Sequence, residues 1–258
     1  MSFTENELIA LLQAWLWPLF RIAALLSVAP VIGTRSVPVR VRLIMALAIT
    51  AVIVPVLPPM PTIDPISAPG LLVLGQQVLI GLVLGTAVRF MFMVFEVAGQ
   101  VIAMQMGLGF AAMVDPQTGN QVPVISQFYL IMATLAFLSL NGHLLLFRIL
   151  ADSFTTLPVG GGGLNLNSLQ ALIGWTGWLF ANAVLIALPA IVALTVINVS
   201  FGVMTRAAPQ MNIFAVGFPI MMITGVIVMF LTLTTLEPHL SRLTDEALDM
   251  ARQLAAAR

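Results

Sequence analysis

Cysteine and lysine are both missing from this 258-residue chain. Without cysteine there is no disulfide, no thiol nucleophile and no thiolate-held metal. All ten basic residues are arginine. The lack of lysine excludes a phosphate-loop lysine and any Schiff base. Charge is scarce too. Only 8% of residues are charged, against roughly 25% in an ordinary soluble domain. The net charge is zero, so the electrostatic footprint of a nucleic-acid binder is absent. The short alternating segments of a membrane β-barrel are absent as well.

What is present is apolar. Hydrophobic residues make up 60% of the chain and the mean hydropathy is +1.08. Such a chain cannot cover its surface with polar groups. It reads as an all-α, polytopic membrane protein with no sizeable soluble domain. The first apolar run follows Glu5 and Glu7, where a cleavable signal peptide would carry basic residues. None is expected.

Six apolar segments follow one another, near residues 7–30, 41–57, 71–106, 123–157, 169–203 and 213–236. Pro18 predicts a kink in the first, and Pro189 a break in the fifth. Asn141, Gly142 and His143 interrupt the fourth. The third and fourth are longer than a bilayer requires, which points to bent hairpins. Arg35, Arg40 and Arg42 form the densest basic cluster and predict a cytoplasmic loop. With Arg206 also inside, both termini fall outside. The Pro-rich stretch after Leu57 reads as a stiff loop, and the four glycines at 160–163 as a flexible connection. The tail places Leu240, Leu243, Ala247, Leu248, Met250 and Leu254 along one helical stripe. That predicts an amphipathic helix lying on a membrane surface or a partner.

The chain is organised around residues 104–128, MQMGLGFAAMVDPQTGNQVPVISQF. This stretch is too polar and too rich in Gly and Pro for a continuous membrane helix. Gly107, Gly109 and Gly119 permit backbone angles that other residues resist. Asp115 with Pro116 is turn chemistry. Yet Phe110, Met113 and Val114 should not face water. An irregular segment at membrane depth survives only where protein buries it or where it lines a cavity. The stretch is therefore a candidate gate or plug. Phe110, between Gly109 and Ala111, can swing into a channel or anchor the loop to its own helices. Met104, Met106 and Met113 fit either a deformable seal or ordinary packing.

Other residues carry weaker chemistry. Arg89 and Glu96 are seven apart and share a helix face, so they suggest either a coupling-ion site or a structural ion pair. Arg206, Arg21 and Arg148 divide the same way. His143 and His239 stand far apart without partner ligands, so no metal and no cofactor is expected.

Three strings carry a resemblance. GLGFAAMVDPQTGNQVPVISQF with LAFLSLNGHLLL, RAAPQMNIFAVGFP, and VIGTRSVPVRVR resemble the FliR family of flagellar type III export-gate proteins. The resemblance covers nearly the whole chain. Virulence-type injectisomes have counterparts, and DPQTGNQ favours the flagellar branch. The resemblance implies a non-enzymatic subunit of a helical export gate in the bacterial inner membrane at the flagellar basal body. It implies FliP and FliQ as assembly partners, FlhB and FlhA as neighbours, and exported unfolded flagellar proteins as cargo. It implies a FliP-like part over 1–164 and a FliQ-like helical hairpin with its tail over 165–258. It also implies that residues 107–119, with Phe110 at the tip, are the plug. On that basis the gate comprises Met106, Gly107, Leu108, Gly109, Phe110, Met113, Val114 and Asp115. The rival reading is a secondary transporter for a small solute or ion, with Arg89 and Glu96 as its lead.

Overall fold

A computed structural model describes residues 5–34, 36–108, 124–208 and 213–256, with side chains from Ala14 and, in the last segment, from Val216. Among these residues seven α-helices follow in order: α1 (Glu5–Val28), α2 (Val39–Ile53), α3 (Ala68–Gln105), α4 (Val124–Ser139), α5 (Gly142–Thr156), α6 (Leu166–Ala207) and α7 (Ile213–Ala256). A short 3-10 turn, Val54–Val56, extends α2. Among the described residues there is no strand. The chain is an all-α membrane protein. Four helical stretches are long and apolar enough to cross a bilayer, or five if α4 and α5 form one broken span.

The caps show why the long helices start where they do. Ser67 precedes α3, and its hydroxyl accepts a hydrogen bond from the Gly70 amide. Asn165 precedes α6, and its Oδ1 accepts from the Ser168 amide at 2.7 Å. Both occupy the N-cap, where a side-chain oxygen satisfies an orphan donor of the first turn. Arg206 lies in the last turn of α6 and complements the negative end of the helix dipole. The α4–α5 break falls at Asn141, whose φ of 57° is left-handed, as the Asn-Gly-His interruption predicts.

Three expectations are corrected. Pro189 does not break α6, which runs 42 residues straight through it. The sixth segment and the tail are one 44-residue helix, α7, with Pro219 and Pro238 inside. One proline removes one hydrogen bond. Ending a helix in apolar surroundings would strand several polar groups. The tail stripe of Leu243, Ala247, Leu248 and Leu254 is buried within the chain rather than laid on a membrane or a partner. The four glycines stay at the surface as a connection, with Gly162 in open space. Gly160 (φ 77°) lies against Pro61 and Ile63, and Gly163 (φ 70°) against Gln76.

By packing, the chain forms two units. The first comprises residues 1–91, 138–176 and 243–258, and the second 92–137 and 177–242. Helices α3, α4, α6 and α7 each contribute to both.

In the first unit α1 lies directly on α3. A side chain at Gly81 would run into the Arg21 carbonyl, and one at Gly85 would come within 3.0 Å of the Leu25 carbonyl. Arg21 itself has no exposed surface. Its Nε donates to Gln77 Oε1 at 2.8 Å, and its Nη1 to the Ser153 carbonyl and hydroxyl at 2.8 and 3.0 Å. Its Nη2 donates to the Leu157 carbonyl at 2.8 Å. The guanidinium carbon sits 4.1 Å from the centre of the Phe154 ring. One side chain thus ties α1 to α3 and caps the carbonyl end of α5.

In the second unit the rings of Phe92 and Phe137 meet edge to face at 5.3 Å. Gly99 lets α3 press on the backbone of Ser126 in α4, which a Cβ would approach to 2.5 Å. Asn182 of α6 donates to the Trp178 carbonyl at 2.9 Å and accepts from Arg242 of α7 at 3.0 Å. Along this unit's part of α6 an apolar face stays exposed, from Phe180 through Val192 and Val199 to Val203.

The Arg21 network yields a prediction. Arg21→Met keeps the length and leaves Gln77 and two carbonyls buried without donors. It should destabilise the first unit by roughly 3–5 kcal/mol. Arg21→Lys should recover only part of this, because an ammonium cannot reproduce the planar fork. Thermal unfolding of the membrane-extracted protein checks both. An Arg21→Met variant as stable as the native chain would show the network to be dispensable.

Candidate functional site

The site is the foot of the central stretch, where α3 stops. In a helix 38 residues long an abrupt stop needs a device, and Gly107 supplies it. Its φ is 81°, in the left-handed region. The Leu108 amide donates to the Ala103 carbonyl at 3.0 Å, and the Gly107 amide to the Met104 carbonyl at 3.0 Å. These two bonds are a Schellman motif, which satisfies carbonyls that the helix end would leave unpaired. The chain therefore leaves α3 at a fixed angle.

Met106 locks that exit to α7. Its side chain is almost fully buried, at 1% exposed. It occupies the space where Gly225 has no Cβ: an added methyl would lie 2.5 Å from the Met106 Cγ and sulfur. Phe218, also on α7, lies beside Gly107, and a Cβ there would meet its ring at 3.4 Å. Leu108 is half-buried, while Met104 points outward and is exposed. A ring, a thioether and two glycines thus fasten the end of α3 to α7 within the second unit.

Of the residues expected to form the gate, Met106, Gly107 and Leu108 are brought together here. Gly109, Phe110, Met113, Val114 and Asp115 lie outside the described residues. Arg89 and Arg206 are exposed and Glu96 is half-buried. Among the described residues none of the three takes part in an ion pair. Arg148 is exposed. His143 has a buried Nδ1 with no hydrogen-bond partner. Among the described residues no three of His, Asp and Glu converge on a point that could hold a metal ion.

Sequence reasoning missed Gly225 and Phe218. They lie more than a hundred residues downstream, inside an apolar helix that looks uniform. The signal was faint but present: a lone glycine within a helical run implies close packing. It also undervalued Arg21, whose burial and fork of partners no local pattern reveals.

The chemistry of the site is mechanical. It holds no nucleophile, no acid–base pair and no phosphate cradle among the described residues. It offers a rigid, apolar base for a Gly-rich segment.

Comparison with known proteins gives this arrangement a family. The profile of "Bacterial export proteins, family 1" matches residues 12–247. The chain is 38% identical over 250 residues to the flagellar biosynthetic protein FliR of Escherichia coli (strain K12), covering 97% of this chain and 95% of that one. It is 37% identical over 250 residues to FliR of Pectobacterium carotovorum, with the same coverage. It is 28% identical over 254 residues to FliR of Bacillus subtilis (strain 168), covering 97% and 98%. A profile match over nearly the whole length, joined to relatives of the same length and kind, places the chain: it belongs to the bacterial export proteins of family 1, with the FliR proteins.

Proposed function

We propose that this protein is a core subunit of the flagellar protein export gate that lines and seals the channel through which unfolded flagellar proteins leave the cytoplasm. The chain is a multi-pass membrane component of the flagellar export apparatus. The channel role is the finer step. What supports it is the rigid foot of the central stretch. A Gly cap ends many ordinary helices, but here Met106 is also seated against Gly225. That added fastening suits a segment that must hold a fixed place across a pore.

In this reading residues 107–119 form the plug and Phe110 its tip, with Met113, Val114 and Asp115 shaping the same loop. Met106 and Leu108 belong to the base. FliP and FliQ are the assembly partners in the bacterial inner membrane at the basal body, with FlhB and FlhA adjoining. Residues 1–164 act as the FliP-like part and 165–258 as the FliQ-like hairpin. The subunit is not an enzyme, and energy enters through other components. The transporter reading gains nothing from Arg89 and Glu96, which form no ion pair among the described residues.

Two measurements test this. Ion conductance of membranes holding the assembled complex should rise several-fold when residues 107–119 are excised, with assembly verified by co-purification. Flat conductance in an intact complex would sink the sealing role. Next, Gly225→Ala should force Met106 out of its seat and cost about 1–3 kcal/mol. Combining it with Met106→Ala should cost clearly less than the sum of the two single changes. Strict additivity of the unfolding free energies would show that the two residues do not share one space.

A further inference from the structure

Pro189 stands inside α6, which continues unbroken on either side. Its ring nitrogen carries no hydrogen, so the Leu185 carbonyl one turn earlier has no helical donor. α6 is long and apolar enough to cross a membrane. An unpaired carbonyl at that depth costs several kcal/mol. Another donor must reach it.

Leu185 and Pro189, both exposed, line the mouth of a small, partly open cleft with about 30 Å³ of room in the second unit, together with Tyr129 of α4 and Thr232, Thr235 and His239 of α7. The two threonines cannot serve the carbonyl. Thr232 Oγ1 donates to the Val228 carbonyl at 2.9 Å, and Thr235 Oγ1 to the Thr232 carbonyl at 2.8 Å. Their oxygens remain as acceptors only. The Tyr129 hydroxyl lies close to the Thr232 side chain. The cleft thus offers several acceptors, with the Tyr129 hydroxyl and the His239 ring as donors.

We propose that this cleft is a binding site for one ordered water molecule. The water donates one proton to the Leu185 carbonyl and the other to the Tyr129 oxygen, with His239 lining the same space. The room fits: a buried water needs roughly 10–15 Å³ of such space and 2–4 polar partners. A metal cation fits poorly. No carboxylate lines the cleft, so its charge would stand uncompensated. The water pins α6, α4 and α7 together at the proline and lets α6 pass through Pro189 without an orphaned carbonyl. The inference stands on this geometry alone and does not depend on the channel reading.

The test is a structure of the assembled complex in lipid, at a resolution that shows ordered water, for the native chain and for Pro189→Ala. The native chain should show one spherical peak within hydrogen-bond distance of both the Leu185 carbonyl and the Tyr129 hydroxyl. In Pro189→Ala the backbone amide restored by the substitution takes the carbonyl, and the peak should vanish. A native structure without the peak would overturn the proposal. So would a peak of equal strength in Pro189→Ala, a peak that follows the sodium or potassium concentration, or a His239 nitrogen bonded directly to Leu185. If Pro189→Ala does not assemble, Tyr129→Phe decides it. The peak should then be lost or much weakened, and an unchanged peak would count against the site.

Discussion

A guanidinium sealed from water organises the first unit. Among the described residues no acid pairs with Arg21, so its charge is held by dipoles: one amide oxygen, one hydroxyl, two carbonyls and an aromatic face. These partners come from several turns of the surrounding helices, and they would otherwise need water that an apolar interior does not supply. The arrangement is reciprocal. The arginine needs the α5 carbonyls to stay charged in the core, and α5 needs the arginine to end. The close seat of Gly81 and Gly85 on α1 then follows, because the fork reaches both neighbours only if α1 and α3 nearly touch.

The same accounting of backbone groups explains the long helices. A soluble chain can stop a helix at proline because water takes the freed groups. Here the helices are largely apolar, and α6 and α7 run on through Pro189, Pro219 and Pro238. That is why the breaks read from Pro189 and at the end of the sixth segment do not exist. Proline chemistry was read correctly, but with the wrong solvent.

Where the signal was local, the sequence was legible. Among the described residues the apolar runs located the long helices, Asn141-Gly142 located the break between α4 and α5, and Gly107 marked the end of α3 through its need for a left-handed backbone. Where the signal depends on distant neighbours it was not. The tail looked amphipathic and free because its stripe is real, and nothing in its own residues says that the chain supplies the cover. Gly225 looks like any glycine in an apolar helix until Met106 is placed against it. Arg21 looks like a cost until Gln77 and Ser153 are brought to it.

Within the second unit the exposed apolar face of α6 runs from Phe180 to Val203. At about 1.5 Å per residue it is roughly 35 Å tall, close to the thickness of a hydrocarbon layer, about 30 Å. Phe180, Val192 and Val199 are thus placed to meet acyl chains or a neighbouring protein, and water is the one medium this flank is not built for.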